Sequence, residues 1–379
     1  MNFERSEEET MLADLADRFV ADRYHIERRC AYQTHPQGFS QENWDLLAEF
    51  GLMAAPLDER DGGMNLDAGA IVALFGALGR GLVTEPLTES VLVGARLLLA
   101  GAGEDLAAAW REGLSTGTRR VALAHAEPSS RGNAAWVETR SEAGPGTVRL
   151  SGIKHCVPAG VGADAFVVSA RTATSGGNDG VGFYLVPADV PGLTLTPWRM
   201  IDGSVAAHLA LDGVTVPADH ALSGGLALLD QVMPLADLAR AAEAVGVMQR
   251  IFDETLEYLR TRSQFNTPLG RFQAIQHRMV AHYCALEQSK ALLNLALVGS
   301  GDGGDPASHA HDFAHAVAGA RAFISEVSLA LGHDMIQFHG GMGVTDELAI
   351  GHGHKRLVLL SRWPEEPLAK LDRYAGLAA

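Results

Sequence analysis

The hydrophobic positions of this chain change their period twice. In the first third, Leu12, Leu15, Ala16, Phe19 and Val20 recur at helical spacing, and Trp44, Leu46, Leu47 and Phe50 form a second apolar stripe that stops at Gly51. Gly62-Gly63 breaks the pattern, and a long run over 66–80 follows, with Gly81 as its expected C-terminal stop. Near residue 119 the runs shorten and become rich in β-branched residues. Segments 121–124, 147–150, 165–170, 181–186 and 193–196 read as strands, divided by turn clusters at 143–146 and 176–180. From about Gly225 the helical period returns, predicting helices over 236–261, 273–297 and 306–331 with a loop at 301–306. The order predicts an α+β chain: a helical domain over 1–118, an antiparallel β domain over 119–224 and a helical bundle over 225–379. No internal repeat or low-complexity tract interrupts it.

Composition narrows the function classes. Of 379 residues, 47% are hydrophobic and 20% charged, enough for real cores in two or three domains. The net charge of −16 repels phosphate backbones, so nucleic acid is not an expected partner, and an anionic ligand needs a local basic cluster. Cys30, Cys156 and Cys284 lie far apart and match no metal or redox spacing, which reads as reduced thiols in a cytosolic protein. The acidic N-terminus lacks the basic and apolar regions of a signal peptide. No apolar run reaches the ~18–20 residues that span a bilayer, so the expectation is a soluble, cytoplasmic chain. His309, His311, Asp312 and His315 lack a well-spaced further ligand and read as a solvated helix start rather than a metal site; the alternate spacing of His352 and His354 adds little. Gly340-Gly-Met-Gly lacks the GxGxxG spacing and a preceding strand, and there is no P-loop, so a bound dinucleotide would not sit on a Rossmann unit.

Two segments carry candidate chemistry. The first, Arg262-Ser-Gln-Phe-Asn-Thr-Pro-Leu-Gly-Arg-Phe-Gln-Ala-Ile-Gln276, lies between two long helices. A guanidinium at Arg262 suits bidentate binding of a pyrophosphate, Phe265 suits packing against a planar ring, Pro268-Leu-Gly270 suits the turn, and Gln273 offers amide hydrogen bonds. A plain helical hairpin with a basic C-cap fits the same residues. The second is Gln337-Phe338-His339-Gly340-Gly341-Met-Gly343, where Gln337 supplies an amide and the glycines allow close backbone approach; a glycine C-cap fits here too.

Together these segments resemble the acyl-CoA dehydrogenase family, which carries R-x-x-F-G…Q-x-x-Q between two long helices and Q-x-x-G-G-x-G some seventy residues later. The resemblance runs over the whole chain, including Trp44…Gly51…Gly62-Gly63 and Leu211-Asp-Gly-Val-Thr-Val-Pro217. It implies the family fold: an N-terminal helical domain, a middle antiparallel β domain and a C-terminal four-helix bundle. It also implies FAD as cofactor, an acyl-CoA thioester as substrate, and an electron-transfer flavoprotein as electron acceptor. By the same resemblance Arg262, Phe265, Gln273, Gln337, Phe338, His339, Gly340 and Gly341 are the expected contacts to the adenine–pyrophosphate half of an FAD seated mainly in a neighbouring subunit. Asn266 stands where the family usually has Gly.

Other departures are larger. Where the family has T-E-P-x-x-G-S-D, this chain has His125-Ala-Glu-Pro-Ser-Ser-Arg131, and where it has W-I-T after G-x-K, this chain has Cys156-Val-Pro158 after Gly152-Ile-Lys154. An aromatic wall and a hydroxyl are replaced by a thiol and a proline, so a weak or absent flavin-ring pocket is expected. The family's catalytic carboxylate is missing from both usual places. The C-terminal Y-E-G-T segment is absent, with Glu365 near the register between prolines, and the early position in the long helix is Ala236, next to Asp237. Glu243, on nearly the same face and in the apolar Ala241-Ala-Glu-Ala-Val-Gly246, is the candidate base; a salt bridge to Arg240 is the competing reading. With Gly351-His-Gly-His-Lys-Arg-Leu357, this pattern resembles small subunits of heteromeric acyl-CoA dehydrogenases of pimeloyl-CoA and steroid side-chain type, implying a larger homologous partner in a heterotetramer. A homo-oligomeric enzyme using Glu243, and a non-catalytic structural relative, stay open.

Overall fold

The computed structural model describes residues 5–130, 132–172, 180–299 and 306–377. In chain order the elements are α1 (Glu7–Arg23), α2 (Ile26–Thr34), α3 (Gln41–Glu49), α4 (Ala68–Gly81), α5 (Arg96–Gly101), α6 (Glu104–Ser115), β1 (Val121–Ala124), β2 (Arg140–Gly144), β3 (Thr147–Pro158), β4 (Ala165–Thr172), β5 (Val181–Pro187), β6 (Leu193–Arg199), β7 (Val205–Pro217), β8 (Ala221–Leu222), α7 (Ala227–Thr261), β9 (Ser263–Gln264), β10 (Thr267–Pro268), α8 (Gln273–Gly299), α9 (Pro306–His339), α10 (Ala349–Arg362) and α11 (Pro367–Leu377). Helices, then a sheet, then helices is the order the hydrophobic period predicts. The turn cluster at 176–180 and the loop at 301–306 lie largely outside the described residues.

The chain forms two compact units. The first comprises 1–31, 67–83 and 237–379. Its opening helix starts on a capping box, in which Ser6 Oγ accepts the Glu9 N–H and the Glu9 carboxylate accepts the Ser6 N–H. The apolar positions Ala13, Ala16 and Phe19 of α1 are buried, and α1 packs on α4. Gly81 is not the stop of α4 that its sequence suggests. It is the last helical residue, and Leu82 takes the left-handed cap at φ +55°. A side chain at Gly81 would stand 2.3 Å from Val20, so its glycine serves the α1–α4 contact. A second close crossing joins α4 to α7: a Cβ at Gly246 would meet the Gly76 carbonyl at 2.1 Å. That crossing explains the glycine closing Ala241–Gly246.

The second unit comprises 32–66 and 84–236. It holds an eight-stranded sheet in the order β6-β7-β3-β2-β4-β5-β8, with β1 beside β4. Most pairs are antiparallel, as expected, but β1 and β2 both run parallel to β4 and follow one another along one of its edges. Pro145-Gly146 turns β2 into β3, with Gly146 at φ +69°. The pattern of β2 hid it, because Ser141 is its only buried residue. Phe166, Val168, Ala170, Val186, Leu209, Val214 and Val216 build the core on this sheet.

The helices of the C-terminal stretch run longer than their periodicity predicts. α7 starts at Ala227 and continues through Pro234, its first turns carrying the buried Leu228, Leu229 and Val232. α9 extends past residue 331 to His339, which puts Gln337, Phe338 and His339 in its last turn rather than in a loop. Among the described residues no helix is long and apolar enough to cross a membrane.

Candidate functional site

At one end of the first unit, three segments converge. α7 ends at Thr261, and Ser263-Gln264 pairs with Thr267-Pro268. This leaves Phe265 and Asn266 as a two-residue turn at φ +54° and +62°. Both central residues are left-handed, the geometry of a type I′ hairpin. The turn therefore falls at Phe265-Asn266 and not at Pro268–Gly270. It also accounts for Asn266: after glycine, asparagine is among the residues that enter this conformation most readily. Phe265 is 88% exposed and meets Phe272 edge-on. The Leu269 N–H donates to the Arg262 carbonyl at 2.8 Å, fixing the strand exit. The Arg262 and Gln273 side chains face solvent.

The end of α9 completes this surface. Gln337 is exposed, whereas Phe338 and His339 turn inward. The Arg278 guanidinium lies over the Phe338 ring, 4.9 Å from its centroid. His339 stacks on Tyr258 at 4.2 Å, and its Nε2 lies 3.1 Å from Thr255 Oγ1. Burial holds this imidazole below its usual pKa. The Phe338 and His339 side chains thus brace the end of α9 from beneath. Beyond them Gly340 (φ +60°) and Gly341 face open space: a Cβ on either would meet nothing within 4 Å. An exposed guanidinium, two exposed amides and an open stretch of glycine backbone suit a large anionic ligand with polar edges.

The middle-domain segments are built differently. Glu127 accepts the N–H groups of Glu138 (2.6 Å) and Thr139 (3.0 Å) and the Thr139 hydroxyl (2.7 Å), and pairs with Lys154 Nζ at 2.6 Å. Both side chains are almost fully buried. Burial alone would raise the Glu127 carboxyl, but the Lys154 ammonium and the other donors hold it below the usual carboxylate range; burial pushes Lys154 down to about 8 against the pull of Glu127. The surviving family glutamate therefore ties strands together with all of its acceptors engaged. Arg131 lies outside the described residues. At the W-I-T position, β3 shifts register between Lys154 and Val157, and Cys156 and Ala159 both take positive φ, +52° and +57°. The Cys156 thiol, pushed up to about 11 by burial and then by the charge of Glu89, lies 3.9 Å from Met200 Sδ. Beside it the rings of His155, His208 and Trp198 stack on one another. The thiol and the stacked rings line the stretch where the family tryptophan and hydroxyl stand.

Glu243 is not the apolar, poised carboxylate its neighbours suggest. Its Oε1 lies 2.6 Å from Arg356 Nε and its Oε2 2.9 Å from Arg356 Nη2. Both oxygens accept from one guanidinium, a bidentate pair that holds the carboxylate in place against α10. The alternative partner, Arg240, pairs instead with Asp237 at 3.0 Å. Sequence could not name Arg356, which lies on α10, 113 residues away. The pair joins the two segments, Ala241–Gly246 and Gly351–Leu357, that carried the small-subunit resemblance. Asp237, beside Ala236, and Glu365 grip the same residue, Arg373, at 3.0 and 2.7 Å. Burial raises the Glu365 carboxyl; Asp237, which burial would raise as well, is held low by Arg240, Arg321 and Arg373. Among the described residues no three His, Cys, Asp or Glu side chains cluster as metal ligands, and His315 stacks on Tyr374 at 4.5 Å.

Residues 6–118 match the acyl-CoA dehydrogenase N-terminal domain and residues 224–363 the acyl-CoA dehydrogenase C-terminal domain. Acyl-CoA dehydrogenase FadE27 of Mycobacterium tuberculosis is 30% identical over 352 residues, covering 91% of this chain and 90% of its own. The solved Tcur3481-Tcur3483 steroid ACAD is 30% identical with a TM-score of 0.86, covering 98% of each chain. The ChsE4-ChsE5 complex from Mycobacterium tuberculosis is 26% identical with a TM-score of 0.87, covering 99% of this chain and 98% of its own. The chain belongs to the acyl-CoA dehydrogenase family.

Proposed function

We propose that this chain is the small subunit of a heteromeric, FAD-dependent acyl-CoA dehydrogenase. In this reading it grips the adenine–pyrophosphate half of an FAD whose ring is seated in a larger homologous partner. The observation that carries the reading is the contrast within one chain. The α7–α8–α9 end keeps Arg262, Gln273, Gln337 and the Gly340-Gly341 backbone open to solvent. Cys156-Val-Pro158 lacks the tryptophan and hydroxyl of the family motif, and Glu243, the candidate base, is locked by Arg356. Two similar solved structures carry two-component titles, the Tcur3481-Tcur3483 steroid ACAD and the ChsE4-ChsE5 complex, which supports a two-chain assembly.

Bound FAD supplies the hydride acceptor for α,β-dehydrogenation of the acyl-CoA thioester, and an electron-transfer flavoprotein takes the electrons onward. The residues of this chain bind and orient. The Arg262 guanidinium offers paired N–H donors to a pyrophosphate, the Gln273 and Gln337 amides meet polar ligand edges, and the glycine backbone permits close approach. The base that removes the α proton comes from the partner in this reading.

The test is the flavin-to-chain ratio after purification, alone and with the larger homologue. The expected result is a colourless chain alone and one FAD per pair of chains in the complex. One FAD per chain in the isolated protein would overturn the small-subunit reading in favour of a self-sufficient homo-oligomer. Arg262→Ala in the complex should weaken FAD retention by about tenfold or more, the scale of one charge-assisted contact.

A further inference from the structure

The grip just described has a support whose parts have no assigned role. α8 and α9 pack against one another, with the start of α8 beside the end of α9. There Asp334 on α9 accepts from Arg278 on α8, through Nε at 2.8 Å and through Nη2 as well, and lies 2.7 Å from His282 Nε2. The Asp334 and His282 side chains are 18% and 12% exposed, and Arg278 is about half exposed. Burial would raise the Asp334 carboxyl, yet its Arg278 and His282 partners hold it below the usual range.

The spacing decides what this cluster touches. Gln337 and Phe338 stand three and four residues after Asp334, on the same side of the last turns of α9. Arg278 and His282 lie within the first three turns of α8, behind its exposed opening residue Gln273. The Arg278 guanidinium therefore holds Asp334 on one side and covers the Phe338 ring on the other. One carboxylate fixes the register between the two helix ends that carry the exposed amides.

We propose that Arg278, His282 and Asp334 form a positioning clamp that sets Gln273, Gln337 and the Gly340-Gly341 backbone for the adenine–pyrophosphate half of FAD. The clamp rests on the cofactor reading above. It acts through geometry and not through charge: the Arg278 guanidinium and the Asp334 carboxylate cancel, so the ion pair itself adds no net charge to the surface. This makes Asp334→Asn a discriminating variant. The substitution removes a negative charge and leaves Arg278 uncompensated near the pyrophosphate site. A purely electrostatic role predicts tighter FAD binding, and a positioning role predicts weaker binding.

The experiment strips flavin from the purified complex and titrates FAD by fluorescence, and ADP by calorimetry as a ring-free probe. For Asp334→Asn the clamp predicts a rise of about tenfold in Kd for both, at unchanged absorbance spectrum of the bound flavin. His282→Gln, a milder change that keeps a donor, should shift both constants in the same direction by about threefold and serves if the first variant does not fold. Melting temperature is read in parallel: a merely structural role lowers it and leaves the Kd of folded protein unchanged. A wild-type complex that binds FAD, with either folded variant binding it equally or more tightly, overturns the clamp alone. A wild-type complex that takes up neither FAD nor ADP overturns the cofactor reading and the clamp with it.

Discussion

The end of the helical unit and the Lys154–Pro158 stretch of the sheet unit are built on opposite principles. At the first, Arg262, Gln273 and Gln337 stand in solvent and the Gly340-Gly341 backbone borders open space, while Phe338, His339, Arg278 and Asp334 do the packing beneath. At the second, Glu127 spends its acceptors on Lys154, Thr139 and Glu138, and Cys156 is turned onto Met200. A protein surface that binds a ligand keeps polar groups that the fold itself does not need. A segment whose polar groups satisfy one another is scaffold. On the proposed small-subunit reading, the contrast separates a binding surface from a scaffold within one chain.

The contrast can be broken most forcefully at Lys154. Lys154→Met leaves the Glu127 carboxylate buried without its counter-ion, so about 3–5 kcal/mol of stability should be lost in a urea titration. A loss under about 1 kcal/mol would show that the segment is not scaffold. Next in size is Glu243→Gln, which strips Arg356 of a bidentate partner and should cost roughly 2–4 kcal/mol. Turnover by the folded complex should survive it. Complete loss of turnover at unchanged stability would restore Glu243 as the base.

A third test samples both units through pH. Burial pushes His125 in the sheet unit and His354 in the helical unit down to about 4, aided by the charge of Lys154 and by His333 respectively. Between the unfolded value of about 6.5 and pH 4 the unfolded chain binds protons that the folded chain refuses. Stability should therefore fall as pH falls through this window, by up to about 1.4 kcal/mol per pH unit for each histidine. His125→Gln and His354→Gln should each remove their own share; an unchanged slope in both would mean that neither imidazole is held neutral. The smallest effect belongs to the hairpin tip. Asn266→Gly should be neutral within about 0.5 kcal/mol, and Asn266→Ala should cost about 1 kcal/mol, because only the first suits φ +62°. A neutral alanine variant would argue that this turn is not held in the left-handed form.

Local pattern made the helix–sheet–helix order and most strand cores legible, since period and turn chemistry act over a few residues. The same short range hid β2, whose alternation shows a single buried serine, and it misplaced the hairpin turn, since Asn266 at positive φ is visible only in the backbone. It also stopped α9 too early: Gln337–His339 are helical because Phe338 and His339 are buried and find partners on α8 and α7.

The sequence by itself determined which residue types were available: a retained Arg262…Gln273…Gln337-x-x-Gly-Gly set, a missing aromatic at Cys156, and a glutamate within the apolar Ala241–Gly246 stretch. Only the tertiary structure decided what those residues do. Glu243 meets Arg356 across 113 positions, Asp334 meets Arg278 across 56, and Asp237 and Glu365 share Arg373. The physical reason is range. Secondary structure follows from neighbours a few residues apart, whereas the protonation and accessibility of a carboxylate follow from which cations the packed helices bring within hydrogen-bond distance.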